Sequence, residues 1–125
     1  RRWEDFEKEV NTGVAIYNKG PKEYNEAILR WKKAIELYPQ HPQIDQVYYN
    51  IGEAYMHQSN LDDALKYMQK SMEVNPNTSH AARYTNLGVV LERRGDRARA
   101  CIYYKKGCNN GSKIGCNNYA NMHCQ

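Results

Sequence analysis

The chain has 125 residues, enough for one domain, but only 41% of them are apolar or aromatic, and tyrosine supplies 11 aromatics against two tryptophans and one phenylalanine. Tyrosine tolerates one wet edge, so this composition argues against a richly packed globule and for an elongated array of helices close to solvent. The 18 basic and 14 acidic residues are interspersed, with a net charge of +4 and no Lys/Arg run, which argues against a nucleic-acid or polybasic membrane footprint.

No apolar stretch approaches the ~20 residues needed to cross a bilayer, and no charged-then-apolar leader is present, so no direct membrane span is expected and the chain as given is expected to be soluble. It opens on Arg1, which reads as a trimmed or mature chain. That leaves room for a leader, a lipid anchor or further repeats outside it.

Apolar residues recur at steps of three and four, the helical period. The first helix carries Trp3, Phe6, Val10, Val14 and Tyr17 and ends at Gly20-Pro21. The second carries Tyr24, Ala27, Ile28, Trp31, Ala34, Ile35 and Tyr38, and Pro39 stops it, because a residue before proline is pushed out of helical geometry. Further helices are expected at about 44–58, 61–74, 79–94, 96–109 and 113–124. Seven helices with short turns make three hairpins and one leftover helix.

The pattern repeats. Asn50-Ile51-Gly52-Glu53-Ala54-Tyr55 returns as Asn86-Leu87-Gly88-Val89-Val90-Leu91, 36 residues on, and Ala64 returns as Ala100. Ala27 precedes Ala64 by 37 residues, as Pro39 precedes Pro76. Small residues such as Gly52, Gly88, Ala64 and Ala100 let two helix backbones approach, while bulky neighbours fill the adjoining helix.

Tyr48, Ile51-Gly52, Tyr55, Ala64 and Pro76 fall on the signature of the tetratricopeptide repeat, and the chain resembles that family over nearly its whole length. The second repeat is close to the family pattern. The first departs by extra residues near Gly20-Pro21, and the third has Leu91 where Tyr is usual and Gly107 where Ala is usual. The resemblance implies an all-α fold, a right-handed superhelical solenoid of antiparallel helix hairpins with a concave side. It implies one such domain over 1–125, with repeats at about 3–39, 44–76 and 79–111 and a terminal helix at 113–124 whose outer face is polar.

Four cysteines fall in the last quarter, Cys101 and Cys108 on one helix and Cys116 and Cys124 on the next. Folding the chain at Asn109-Asn110-Gly111-Ser112 sets Cys108 opposite Cys116 and Cys101 opposite Cys124. Cysteines two turns apart are separated by ~10 Å along a helix, which excludes one tetrahedral zinc site with ~2.3 Å bonds, so no metal is expected. Two disulfides, Cys108–Cys116 and Cys101–Cys124, fit this geometry, although four cysteines allow three pairings. Four buried free thiols in a cytosolic protein are the alternative.

The segment Tyr103-Tyr104-Lys105-Lys106-Gly107-Cys108, with Gly115-Cys116-Asn117-Asn118-Tyr119-Ala120, also resembles the Sel-like repeats of secreted, cysteine-rich bacterial proteins. That likeness covers about twenty residues and implies an oxidising compartment, periplasmic or secreted, in a bacterial cell envelope.

In the tetratricopeptide family, inner-helix positions on the concave side contact the ligand. Carried over, these are Tyr49, Asn50, Glu53, Met56 and His57 in the second repeat and Thr85, Asn86, Val89, Glu92 and Arg93 in the third. The first repeat offers Lys8, Asn11, Asn18 and Lys19. Asn50, Asn86 and Asn118 hold one repeat position, and an amide supplies both donor and acceptor to the backbone of an extended peptide. The basic pair with which chaperone-binding members clamp a terminal carboxylate is absent from the third repeat, where Ala82 and Asn86 stand, so a heat-shock-chaperone tail is not expected.

No catalytic set, phosphate loop or cofactor motif is found. His41 and His80 read as solvated junction residues, and the His57–Glu53 pair as surface decoration. The expected function is a non-catalytic scaffold that binds a segment of another protein during assembly of an envelope machine. A self-associating scaffold and a secreted Sel-like hydrolase are the alternatives.

Overall fold

The computed structural model describes residues 1–124. Among them are seven α-helices and a 3-10 turn: α1 (Arg2–Tyr17), the turn Pro21–Glu23, α2 (Tyr24–Leu37), α3 (Ile44–His57), α4 (Leu61–Val74), α5 (Ala81–Arg93), α6 (Arg97–Asn109) and α7 (Lys113–Asn121). No strand occurs among the described residues. The chain divides into two compact units, Arg1–Asn75 and Pro76–Gln125.

In the first unit α1 pairs with α2 and α3 with α4, and α2 also packs on α3. Phe6, Ala27, Ile28, Trp31, Ala34, Ile44, Val47, Ile51 and Ala54 form its core. Each hairpin closes where a glycine lets a bulky side chain lie on the helix backbone. A Cβ on Gly52 would meet Met68 Cγ at 2.7 Å, and Gly13 faces the Trp31 indole in the same way. Trp31 Nε1 donates to the Val10 carbonyl at 3.2 Å, so the buried indole has its partner.

Gly13 thus holds the place of Gly52, which settles the register of the first repeat. Gly13 and Ala27 are 14 residues apart, where Gly52 and Ala64 are 12 apart, and the extra length is taken up around Pro21–Glu23.

In the second unit α6 packs on both α5 and α7. Gly88 faces the Tyr104 ring, with a Cβ placed there only 2.7 Å from ring carbons. Gly107 and Gly115 bring α5, α6 and α7 together around Thr85, and a Cβ on Gly115 would lie 3.0 Å from the backbone of Cys108 and Tyr104.

Four helices end alike. After α3, α5, α6 and α7 a residue with positive φ (Ser59, Gly95, Gly111, His123) turns the chain, and the next amide donates back into the last turn, as from Asn60 to Tyr55 O at 2.9 Å and from Asp96 to Leu91 O at 2.8 Å. In three cases that next residue, Asn60, Asp96 or Ser112, caps the following helix through its side chain. One tripeptide therefore stops one helix and starts the next. Ser59 adopts φ 61° with a Cβ that disfavours it, so Ser59→Gly is expected to stabilise the protein by about 1 kcal/mol, read as a higher urea midpoint at unchanged slope.

Both cysteine pairs are joined as the hairpin geometry suggests, Cys101–Cys124 with Cα atoms 5.7 Å apart and Cys108–Cys116 at 4.5 Å. One expectation needs correction. The last helix stops at Asn121, not 124, because His123 takes φ 55° and the Cys124 amide returns to Tyr119 O. This turn brings Cys124 back to Cys101, and the Arg97 guanidinium donates to the Met122 carbonyl alongside. The exposed side of α7 is not purely polar either, since Ile114 is 64% exposed.

Candidate functional site

The glycine register sorts the expected ligand positions. Two residues before Gly13, Gly52, Gly88 and Ala120 stand Asn11, Asn50, Asn86 and Asn118, so every first helix of a hairpin, and α7, carries an asparagine at one repeat position. Asn11 joins the three found by spacing alone. Five residues after the same glycines stand Asn18, His57 and Arg93, while Lys8 and Lys19 belong to other positions of the repeat.

The asparagines are not idle amides. Asn50 is half-buried, and its Oδ1 accepts from Gln46 Nε2 at 2.7 Å, leaving its own amide N–H groups for a ligand. Asn118 hydrogen-bonds the Tyr104 hydroxyl, which itself donates to Glu92 Oε1 at 2.6 Å. Burial, first, and then the Glu92 carboxylate hold the Tyr104 phenol well above its usual range, so it stays a neutral donor. Asn86 is half-buried with interactions of its own, Val89 is half-buried, and Arg93 is exposed at the end of α5.

Thr85 requires correction. It is 3% exposed, its hydroxyl lies 3.2 Å from the Ala81 carbonyl and 2.8 Å from Ser112 Oγ, and Gly107 and Gly115 close over it. It is an interior residue of the second unit and cannot touch a ligand. Tyr49 and Met56 are likewise buried, so of the α3 set only Asn50, Glu53 and His57 reach the surface.

His41 departs from expectation as well. Far from solvated, it is 2% exposed, stacked on Phe6 at 4.0 Å and tilted against Trp3 at 4.2 Å. Its Nδ1 accepts the Gln43 amide at 3.0 Å. It is a core residue closing the first unit.

At the other end of that unit the structure assembles a cluster that spacing did not show. Tyr17 and Tyr24 stack at 4.4 Å with planes 12° apart, and Tyr24 faces His57 at 6.2 Å. Next along each helix, Asn25 accepts from Gln58 Nε2 at 2.7 Å. Burial and then the nearby Glu53 carboxylate push the Tyr17 phenol well above its usual range, with Tyr24 and Tyr49 adding to the effect. The sequence signal for this cluster is faint: two tyrosines flanking the Gly20-Pro21 turn.

Among the described residues no three His, Cys, Asp or Glu side chains group as metal ligands, and no helix is long and apolar enough to cross a membrane.

The fold and these positions define an all-α protein of repeated antiparallel helix hairpins. A tetratricopeptide repeat profile matches residues 43–110, and the chain belongs to the tetratricopeptide repeat family. Members of this family are in general non-catalytic scaffolds for protein–protein interaction.

The chain is 29% identical over 87 residues to anaphase-promoting complex subunit 3 of Schizosaccharomyces pombe, a match over 70% of the chain but only 12% of that protein's length. The N-terminal domain of stress-induced protein-1 (STI-1) from C. elegans superposes with a TM-score of 0.80 at 17% identity, covering 98% of this chain and 97% of that one. The first TPR of Spaghetti (RPAP3) bound to the HSP90 peptide SRMEEVD superposes with a TM-score of 0.83 at 15% identity, covering 96% and 91%. At these identities the structural likeness establishes the fold.

Proposed function

We propose that this chain is a binding scaffold that holds an extended segment of another protein on the inner-helix face marked by Asn11, Asn50, Glu53 and His57. The observation that carries the reading is the asparagine repeated at one position of all four first-type helices, including Asn11, which is exposed, and Asn50, whose N–H groups remain available. Within the first unit, the Asn11 and Asn50 amides suit the donors and acceptors of a peptide backbone. A structure with the same fold holding a peptide supports the reading, although that peptide's acidic end is not the expected ligand here.

The two cysteine bridges support a place in an oxidising compartment, such as a bacterial periplasm or cell surface, where the scaffold would serve assembly of a larger machine. A self-associating scaffold is the second reading, favoured by Leu29, Ile102 and Ile114, which are large, apolar and exposed.

The test is selection of peptides from a random display library on the oxidised protein. Affinity of a selected peptide is expected to fall about fivefold in Asn50→Ala, the loss of about one net hydrogen bond. No selectable peptide, together with a mass that rises with concentration in sedimentation, would instead support self-association.

A further inference from the structure

We propose that the first unit takes a lysine or arginine side chain of the bound segment between the Glu53 carboxylate and the Tyr17–Tyr24 ring stack. This rests on the segment-binding reading and adds the charge of the residue recognised.

The first ground is an unmatched carboxylate. Glu53 is half-buried, has no ion-pair partner among the described residues, and stands on α3 one turn before His57, whose ring lies 6.2 Å from that of Tyr24; its charge also acts on the Tyr17 phenol. Elsewhere in the same unit the fold supplies cations to a comparably placed acid, since Glu9 lies 3.5 Å from Arg30 and 3.6 Å from Lys33. A carboxylate left without a cation by its own chain is open to pairing with one from a ligand.

The second ground is the rings. Other tyrosines are covered by the chain's own cations, as Lys32 lies 5.3 Å over Tyr55, Lys70 5.6 Å over Tyr48 and Lys105 5.6 Å over Tyr119. Tyr17 and Tyr24 stack on each other and have no cation over them among the described residues. Their π faces and the carboxylate present negative potential at one place, the arrangement that an ammonium or guanidinium satisfies by ion pairing and cation–π contact together.

The third ground is the repeat itself. The position of Glu53 is Val14 in the first repeat and Val89 in the third. A hairpin of this kind closes with valine there, so packing does not require the acid.

The experiment uses the peptides selected on the oxidised, unmodified chain, and repeats the selection on Glu53→Lys. Wild type is expected to enrich Lys or Arg at one fixed position, and Glu53→Lys to lose that enrichment. Glu53→Gln is expected to weaken a selected peptide about tenfold or more, and Tyr24→Leu several-fold, with Asn50→Ala as the reference for binding that is independent of charge. Peptides that weaken with Asn50→Ala but show no basic position, and bind Glu53→Gln unchanged, overturn this inference and leave the groove reading standing. If no peptide is sensitive to Asn50 or Glu53, both fall.

Discussion

Replacing Cys101 and Cys124 by serine is expected to destabilise the second unit by about 3 kcal/mol, the entropy released to an unfolded chain no longer closed over a 23-residue separation. Removing Cys108–Cys116, which closes only eight residues, is expected to cost about 2.5 kcal/mol on the same grounds. The longer bridge matters more for a second reason. Helix α7 has nine residues, too few to persist alone, and Cys124 lies beyond its end, so the Cys101 bond ties down the chain that follows the helix. With that bond gone, the Cys108–Cys116 bond and the seating of Gly115 against Thr85 still hold the first turn of α7, which leaves the Arg97 contact to the Met122 carbonyl at its far end. Hydrogen exchange in the last turn of α7, residues 118–121, should therefore accelerate in the Cys101→Ser, Cys124→Ser protein well before global unfolding. Unchanged exchange and an unchanged urea midpoint would show that the bridge is not what holds the helix.

Trp31→Ala should be the most damaging single change in the first unit, costing about 3–5 kcal/mol. The indole is 2% exposed, lies over Gly13, contacts Tyr17 at 5.6 Å and donates to Val10. Its removal empties the centre of the α1–α2 hairpin. The same contact makes a sharper prediction. A Cβ at position 13 collides with the indole, so Gly13→Ala is expected to cost about 1–3 kcal/mol in the native background. With Trp31→Met the second repeat's pairing of Gly52 with Met68 is reproduced, and a flexible side chain can yield to the new methyl. The cost of Gly13→Ala should therefore shrink in the Trp31→Met background, a coupling that a double-mutant cycle in urea measures directly. Additive costs would mean that the glycine is there for another reason.

Much of this architecture is written in period and punctuation. Steps of three and four marked the helices, the 36- and 37-residue returns marked the hairpins, and the two rungs of cysteines followed from folding the chain at Gly111. What escaped depends on tertiary approach. Thr85 looks like a surface residue from its repeat position, and only the meeting of Gly107 and Gly115 around it buries its hydroxyl. His41 sits between two prolines and reads as loop, yet Phe6 and Trp3, more than thirty residues earlier, enclose it. α7 ends short of the expected position because a histidine, rather than glycine, takes the left-handed turn at 123. The grouping of Tyr17, Tyr24 and Glu53 joins three elements and leaves no pattern along the chain. It was therefore legible as one expected position, Glu53, without the aromatic partners that give it chemical meaning.

The most direct test of the account is where a selected peptide lands. In 15N-labelled, oxidised protein, titration with that peptide should shift the amide signals of Asn11, Asn50, Glu53 and His57 and the side-chain amide of Asn50. Shifts confined instead to the exposed apolar residues Leu29, Ile102 and Ile114, with the Asn50 amides unmoved, would contradict it.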